Sequence, residues 1–399
     1  MCSILGATIF DATSVEIWNR AKDRGRDYSG MSQYGNSWIA NHRATPTNEI
    51  DKAIRNQPFG KGFKVVHNGT IANDMELGNE ANSIDSEILT QILNTETLID
   101  FYHSLSVIKG SFAIAVLKEN GDIYLACNYK PIFYFEKDGN FYFSSLKRHL
   151  PSENVRRVKP YSVLNLRTGE SYEFEREQPD RALIVCSGGL DSTSLIGYAK
   201  LNHSAIKLLH FDYGCRATSR EIEAIQNIAK RENIEYQVLP IDYSLMRGNS
   251  PLFKDEKIDN GKDGVEYASE WVYARNLILL SYAVGYAEAN KYGYIYLGNN
   301  LEESGAYPDN EEQFVIDFND CLWGAVNNGY KVEILNPLGG LMKKEIVEFG
   351  TKYNSPIDLS WSCYNNDEYH CGKCAPCYMR QKAFERAGIT DPTKYIDNE

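Results

Sequence analysis

Over about the first 165 residues, apolar and polar positions alternate in short runs. FKVVHNGTI and SFAIAVL are rich in Val, Ile and Phe and read as strands. SEILTQILNTE carries its apolar residues at helical spacing. GDIYLACNY, PIFYFEKDGNFYFSS and YSVLNLRTGESYEF predict antiparallel strands and hairpins, turning at KDGN and RTGE. The pattern changes near Glu175, where the charged, proline-containing EREQPDR reads as a linker. Beyond it, ALIVCS, AIKLLHFD, EYQVLPID, YIYLGNN and KVEILNPL predict strands that alternate with helices. Such alternation predicts a doubly wound parallel sheet with ligands beyond the carboxyl ends of its strands. The expected domains are 2–170 and 180–399.

Composition narrows the function class. The chain has 399 residues, 43% hydrophobic and 24% charged, as ordinary globular proteins do. A net charge of -12 argues against binding a long phosphate backbone by bulk charge. The longest apolar stretch, near Asn276 to Ala287, is about half of the ~20 residues a membrane span needs. The N-terminal MCSILGATIF lacks the positive and long apolar regions of an export signal, so a cytoplasmic protein without membrane contact is expected. Four of the nine cysteines cluster near the C-terminus, which in a reducing compartment reads as metal binding.

Cys2 directly follows Met1. Removal of Met1 would leave Cys2 with a free α-amino group, which titrates near ~7.7–8.0 and could serve as base for its own thiol. Behind it come RGRD (Arg24 to Asp27), NHRAT, HNGTIAN, IDSE and KGSFA, in that order. This front half resembles the class II glutamine amidotransferases, whose nucleophile is an N-terminal cysteine. The resemblance implies the four-layer α/β/β/α sandwich of N-terminal-nucleophile (Ntn) hydrolases. It also implies Cys2 as nucleophile, Asn68 and Gly69 as oxyanion hole, Arg43 on the glutamine carboxylate and Asp85 on its α-ammonium. Arg26 stands where that family has proline in RGPD.

SGGLDST, Ser187 to Thr193, lies between a predicted strand and a predicted helix. Gly188 and Gly189 permit a tight turn whose backbone N–H groups approach phosphate, and the helix start favours an anion. Ser187, Ser192 and Thr193 offer hydroxyls, and Asp191 could orient the loop or hold Mg²⁺. No lysine follows the glycines, so this is no Walker A loop. It resembles the phosphate (PP) loop of ATP pyrophosphatases of the adenine nucleotide α-hydrolase type. Lys343 in GLMKKEIV then matches the late lysine that neutralises phosphate charge, with Lys344 a solvated neighbour.

Cys363, Cys371, Cys374 and Cys377 have the C-x7-C-x2-C-x2-C spacing of a closed, structural Zn²⁺ knot. His370 beside it reads as an exposed loop histidine. Together with FDYGCR, WVYARNLILLSYA and the YPD at Tyr307 to Asp309, these motifs resemble QueC, the 7-cyano-7-deazaguanine synthases, over about residues 181–388. The resemblance implies a base or nucleotide site lined by Tyr213, Arg216, Arg275, Asn276 and Asp309. The chain departs from that family at Cys215, which replaces glutamine, and at Asn310, Glu311 and Gln313 after the YPD.

A class II glutaminase before a QueC-like module resembles the GAT-QueC architecture. That implies glutamine, ATP, Mg²⁺ and a 7-deazaguanine as ligands, and ammonia passing from one centre to the other. The acceptor is a free base, tRNA or DNA, and the product a nitrile, an amide or an archaeosine-type formamidine. A homo-oligomer is expected. Two rivals stand beside it. One is an asparagine-synthetase-like amidotransferase, with the same domain order and the same two reactions, against which the cysteine knot and the YPD segment count. The other is a defence or binding module acting on a protein partner.

Overall fold

The computed structural model describes residues 2–44, 56–80, 83–253, 260–262 and 270–396. Met1 and Thr45, which enter the sequence arguments above, lie outside them. The chain divides into two compact units, residues 1–176 and 177–399.

In the first unit, strand periodicity dictates the layering. One antiparallel sheet runs Tyr28–Tyr34, Ser37–Arg43, Ser3–Ala7, Asn140–Ser144, Phe133–Lys137, Arg156–Arg157. A second runs Ser171–Glu173, Ser162–Asn165, Ile123–Cys127, Gly110–Lys118, Phe63–Ile71. Successive side chains leave opposite faces of a strand. Ile4, Ile39 and Phe143 therefore meet Val66, Ala113, Ala115 and Leu125 between the sheets. Their neighbours Leu5, Trp38 and Ala40 face outward and pack on Ile17 and Ala21 of the helix Ala12–Ala21. Val65, Ile114 and Val116 face the other way, onto Leu98, Phe101 and Leu105 of the helix Leu98–Leu105. Both helices bury residues at i, i+3 and i+7 and carry side-chain caps, Asp11 and the Thr97–Asp100 capping box. The result is the four-layer α/β/β/α sandwich.

The stretch from Asp85 is less helical than its spacing predicts. It forms a 3₁₀ turn, Asp85–Ile88, and one α-turn, Leu89–Ile92. Asp85 uses its carboxylate on the Ile71 and Ser86 backbone N–H groups, which fixes the tight turn.

The second unit is a five-stranded parallel sheet in the order Glu235–Pro240, Ala205–Asp212, Arg181–Val185, Tyr294–Tyr296, Glu333–Leu335. Leu183, Leu209 and Ile295 bury one face beneath the helices Arg275–Asn290 and Glu312–Ala325. Ala182, Ile184 and Leu208 bury the other beneath Leu190–Asn202, Thr218–Glu232 and Lys343–Lys352. Strand order reverses between Arg181–Val185 and Tyr294–Tyr296, and residues 186–189 lie at the carboxyl end of that switch point. No helix among the described residues is long and apolar enough to cross a membrane.

Candidate functional site

In the first unit, Cys2 precedes the strand Ser3–Ala7 and is partly exposed. Ser3 pairs with His42, so Cys2, one residue back, comes level with the buried Arg43. Arg24 lies within electrostatic reach of Cys2. Gly25 packs so closely that a Cβ there would stand 2.1 Å from the His42 carbonyl oxygen. Asn68 and Gly69 sit in Phe63–Ile71 on the other sheet. The Asn68 side chain is buried, and its Nδ2 finds no acceptor among the described residues. A buried amide with spare donors is costly unless something accepts from it, and an oxyanion would. A Cβ on Gly69 would stand 1.9 Å from the Ser111 carbonyl oxygen, so only glycine fits. Asp85 reaches the same strand two residues on, where its Oδ2 accepts from Ile71 N at 2.8 Å.

In the second unit, the loop Ser187–Gly189 opens the helix Leu190–Asn202. Gly188 adopts φ +76°, which favours glycine. Ser192 Oγ accepts from Ser187 N at 3.3 Å, and Ser187 Oγ from Gly189 N at 3.2 Å, which curls the loop. Lys343 Nζ donates to Asp191 Oδ2 and to Glu303 Oε1, both at 2.6 Å. Burial opposes its charge, but the two carboxylates outweigh burial and hold the ammonium above its ordinary range. Asn300 Nδ2 also donates to Asp191 Oδ2, at 2.9 Å. Asp191 Oδ1 and Thr193 Oγ1 are buried without partners among the described residues. These spare oxygens, with Glu303, suit an Mg²⁺–phosphate ligand.

Four of the five candidate base-site residues come together. Tyr213 hydrogen-bonds to Arg275. Asn276 donates through its backbone N to Asp309 Oδ2 at 3.4 Å and through Nδ2 to the Asp309 carbonyl at 3.3 Å. Asp309 is raised by burial, against the pull of Arg275. Ala274, just before Arg275, holds φ +50°, a strained conformation for a residue with a side chain. Arg216 instead turns to the loop of the cysteine cluster, where its Nη2 donates to Asn365 Oδ1 at 3.3 Å.

The thiol sulfurs of Cys363, Cys371, Cys374 and Cys377 all lie within 4.8 Å of one another, so the cluster could hold a metal ion. The backbone N–H groups of Asn365 and Cys371 point at Cys363 Sγ, and that of Cys374 at Cys371 Sγ, at 3.3–3.4 Å. Such donors suit thiolates. His370 corrects the sequence expectation: it is buried, not exposed. Its Nε2 accepts from Ser362 N at 3.0 Å, and its ring packs on Trp361 at 4.2 Å.

Residues 181–388 match the family described as queuosine biosynthesis protein QueC, and residues 42–152 match a glutamine amidotransferase domain. The 7-cyano-7-deazaguanine synthase of Sulfolobus acidocaldarius is 37% identical, over 99% of this chain and 100% of its own length. That of Saccharolobus solfataricus is 35% identical, over 99% of both chains. The chain belongs to the QueC family. It belongs to the form in which a glutamine amidotransferase domain is fused to the QueC module. The synthase of Methanothrix thermoacetophila, 41% identical, matches 54% of this chain with 98% of its own.

Several QueC-module residues escaped sequence reasoning. Glu303 and Asn300 lie in NNLEES, forty or more residues from Lys343 and more than one hundred from Asp191, and only the fold joins Glu303 to Lys343 and Asn300 to Asp191. Glu221, in the first turn of its helix, is pushed up to about 7 by burial, against the pull of Arg275. Tyr364, beside Cys363, is raised well above its ordinary range by burial and then by Glu270 and Glu303.

Proposed function

We propose that the protein is a glutamine-dependent 7-cyano-7-deazaguanine synthase that acts on the free base. Full-length likeness to relatives bearing that name supports the reading. The observation that carries it is the largely buried Lys343 ammonium, its side chain 14% exposed, on Asp191 beside the SGGLDST loop. Phosphate charge calls for such a cation. Converting a carboxylate to a nitrile needs activation by ATP, whereas adding ammonia to a nitrile, the archaeosine-type route, does not. The net charge of -12 favours a small acceptor over tRNA or DNA.

The steps follow from the residues. With Met1 removed, the Cys2 amine takes the thiol proton and the sulfur attacks the glutamine side-chain amide. Arg43 grips the glutamine carboxylate bidentately and Asp85 faces its α-ammonium. Asn68 Nδ2 and Gly69 N–H stabilise the oxyanion. Ammonia leaves, and water hydrolyses the thioester to glutamate. In the second unit, the substrate carboxylate attacks the α-phosphorus of ATP and pyrophosphate departs. Backbone N–H groups of Ser187 to Gly189, the hydroxyls of Ser192 and Thr193, and Lys343 bind the phosphates. Mg²⁺, when bound, would neutralise phosphate charge and would be held by Asp191 and Glu303. Ammonia displaces AMP to give the amide. A second adenylation, on the amide oxygen, lets AMP leave again with formation of the nitrile. Tyr213, Arg275, Asn276 and Asp309 hold the base.

The metal of the cluster is Zn²⁺ in this reading. Four thiolates at ~2.3 Å in a tetrahedron stand about 3.8 Å apart. The Cys363–Cys374 and Cys371–Cys377 sulfurs are 3.9 and 4.0 Å apart. No position is left for substrate, so the ion is structural. Thiolate ligands and a thiol nucleophile suit the reducing cytoplasm.

The test supplies 7-carboxy-7-deazaguanine, ATP and ammonium chloride, and follows the base by mass spectrometry. The nitrile and AMP are expected. Failure to consume the carboxy base, or conversion of the cyano base to a formamidine, would contradict the proposal.

A further inference from the structure

His210, near the end of the strand Ala205–Asp212, is 2% exposed. Its Nδ1 lies 3.0 Å from the Cys186 carbonyl oxygen, so Nδ1 carries the ring proton and donates it. Burial lowers the pKa of the imidazole, which is neutral at pH 7. Nε2 is therefore a bare lone pair, and it has no hydrogen-bond partner among the described residues. Facing it at 3.9 Å is Glu221 Oε2, a second acceptor. Cys215 Sγ stands 3.7 Å from the same carboxylate oxygen. Its thiol is pushed up to about 12 by burial and then by Glu221, so it stays protonated.

At 3.9 Å the Glu221 carboxyl, ionised or protonated, does not reach His210 Nε2, and a buried acceptor without a donor is unfavourable by roughly 1–3 kcal/mol. A group that bridges His210 Nε2 and an ionised Glu221 carries at least two hydrogens. Charge favours a monovalent cation: ionised Glu221 and Asp212 outweigh the single charge of Arg275, and His210 is neutral. The position is beside the proposed reaction. His210 is tied to Cys186 at the root of the phosphate loop. A Cβ on Gly188 would stand 2.9 Å from the Glu221 carbonyl oxygen. On the other side, Cys215 and Glu221 lie within electrostatic reach of Tyr213, and Glu221 of Arg275. The Glu221 side chain is 16% exposed, so the space is not sealed.

We propose that His210 Nε2, the Glu221 carboxylate and Cys215 Sγ form the ammonia site of the second unit. The inference rests on the functional reading above. Ammonium binds with one N–H on His210 Nε2 and one on Glu221. Glu221 takes one proton, which frees the nitrogen lone pair. Glu221 passes that proton to solvent. The C–N bond forms as the bond from the acyl carbon to AMP oxygen breaks, and Glu221 takes the second proton from the new amide nitrogen and passes it to solvent in turn. A carboxyl poised near neutrality suits that exchange.

Glu221→Gln keeps the shape and removes the proton acceptor. Amidation driven by ammonium chloride should fall about 100-fold, with a raised KM for ammonium. Carboxy-base-dependent exchange of pyrophosphate into ATP uses no nitrogen and should fall far less. Equal losses in both assays, or none in either, would overturn the proposal. A second measurement does not depend on the variant. Crystals of the wild-type protein grown with thallium(I), a heavy stand-in for ammonium, should show an anomalous peak between His210 Nε2 and Glu221. An absent peak, or a peak accompanied by equal kinetic losses, would overturn it. If the wild type consumes no carboxy base, the functional reading fails, while the thallium result still judges this site.

Discussion

The backbone N–H of Trp361 donates to the carbonyl oxygen of Gly188 at 2.8 Å, joining the cysteine cluster to the phosphate loop. Trp361 is two residues before Cys363, and its indole Nε1 donates to the Cys363 carbonyl at 2.7 Å. Arg380, on the helix that begins beside Cys374, holds Ser360 Oγ at 2.6 Å and Ser362 Oγ at 3.3 Å. The segment that braces Gly188 is thus fixed from both sides by the cluster.

Metal removal should therefore weaken ATP binding even though the metal touches no substrate. Loss of one buried hydrogen bond and of loop order corresponds to about 1–1.5 kcal/mol, or about tenfold in affinity. Titration calorimetry with ATP, before and after chelation, checks this. Glutamine hydrolysis in the same sample should be unchanged. Equal ATP affinity with and without metal would refute the link.

Lys343→Met should abolish ATP use and also destabilise the second unit. It leaves Asp191 and Glu303 facing one another without their cation. Breaking a buried pair costs about 3–5 kcal/mol, and the lower end applies here because the Glu303 side chain is 41% exposed. Adding Asp191→Asn to this variant should restore part of the stability but none of the ATP use. Thermal unfolding and pyrophosphate release separate the two effects.

Asn68→Ala should lower glutamine hydrolysis about 10²–10³-fold by removing an oxyanion donor. Turnover of the base with ammonium chloride should persist. Gly69→Ala should be as damaging for a different reason, because the added methyl meets the Ser111 carbonyl. Parallel glutamate and AMP assays check both variants.

Stability should fall as pH rises from about 4.5 towards neutrality, in part through Glu221. Burial raises its folded pKa to about 7, above the ordinary 4.5. Between those values the folded state holds the proton and the unfolded state does not, so stability declines with rising pH. The shift corresponds to about 3 kcal/mol of stability that is fully present below pH 4.5 and is lost as pH rises to about 7. Glu221→Gln should thus be more stable than wild type at pH 8 and no more stable near pH 4. Thermal unfolding across that range checks the sign.

What was legible in the sequence was local. ALIVCS and AIKLLHFD announce strands because strands buried on both faces must be apolar throughout. The phosphate loop and the cluster declare themselves because their chemistry needs fixed spacings. What was not legible depends on contacts between distant segments. Glu303 joins Lys343 across forty residues, and His210 meets Glu221 only once a helix packs back on its strand. His370 is buried because the chain returns to cover it: its N–H donates to the Lys394 carbonyl, and Ile396 N–H donates to its carbonyl. No spacing near His370 records that return.

The central claim is that one nitrogen atom serves both units. Glutamine labelled with ¹⁵N at the side-chain amide, ATP and 7-carboxy-7-deazaguanine should yield a nitrile that carries the label. With Cys2→Ala, glutamine should give no product while ammonium chloride still does. Label recovered only as free ammonium, with the base unchanged or unlabelled, would contradict the account.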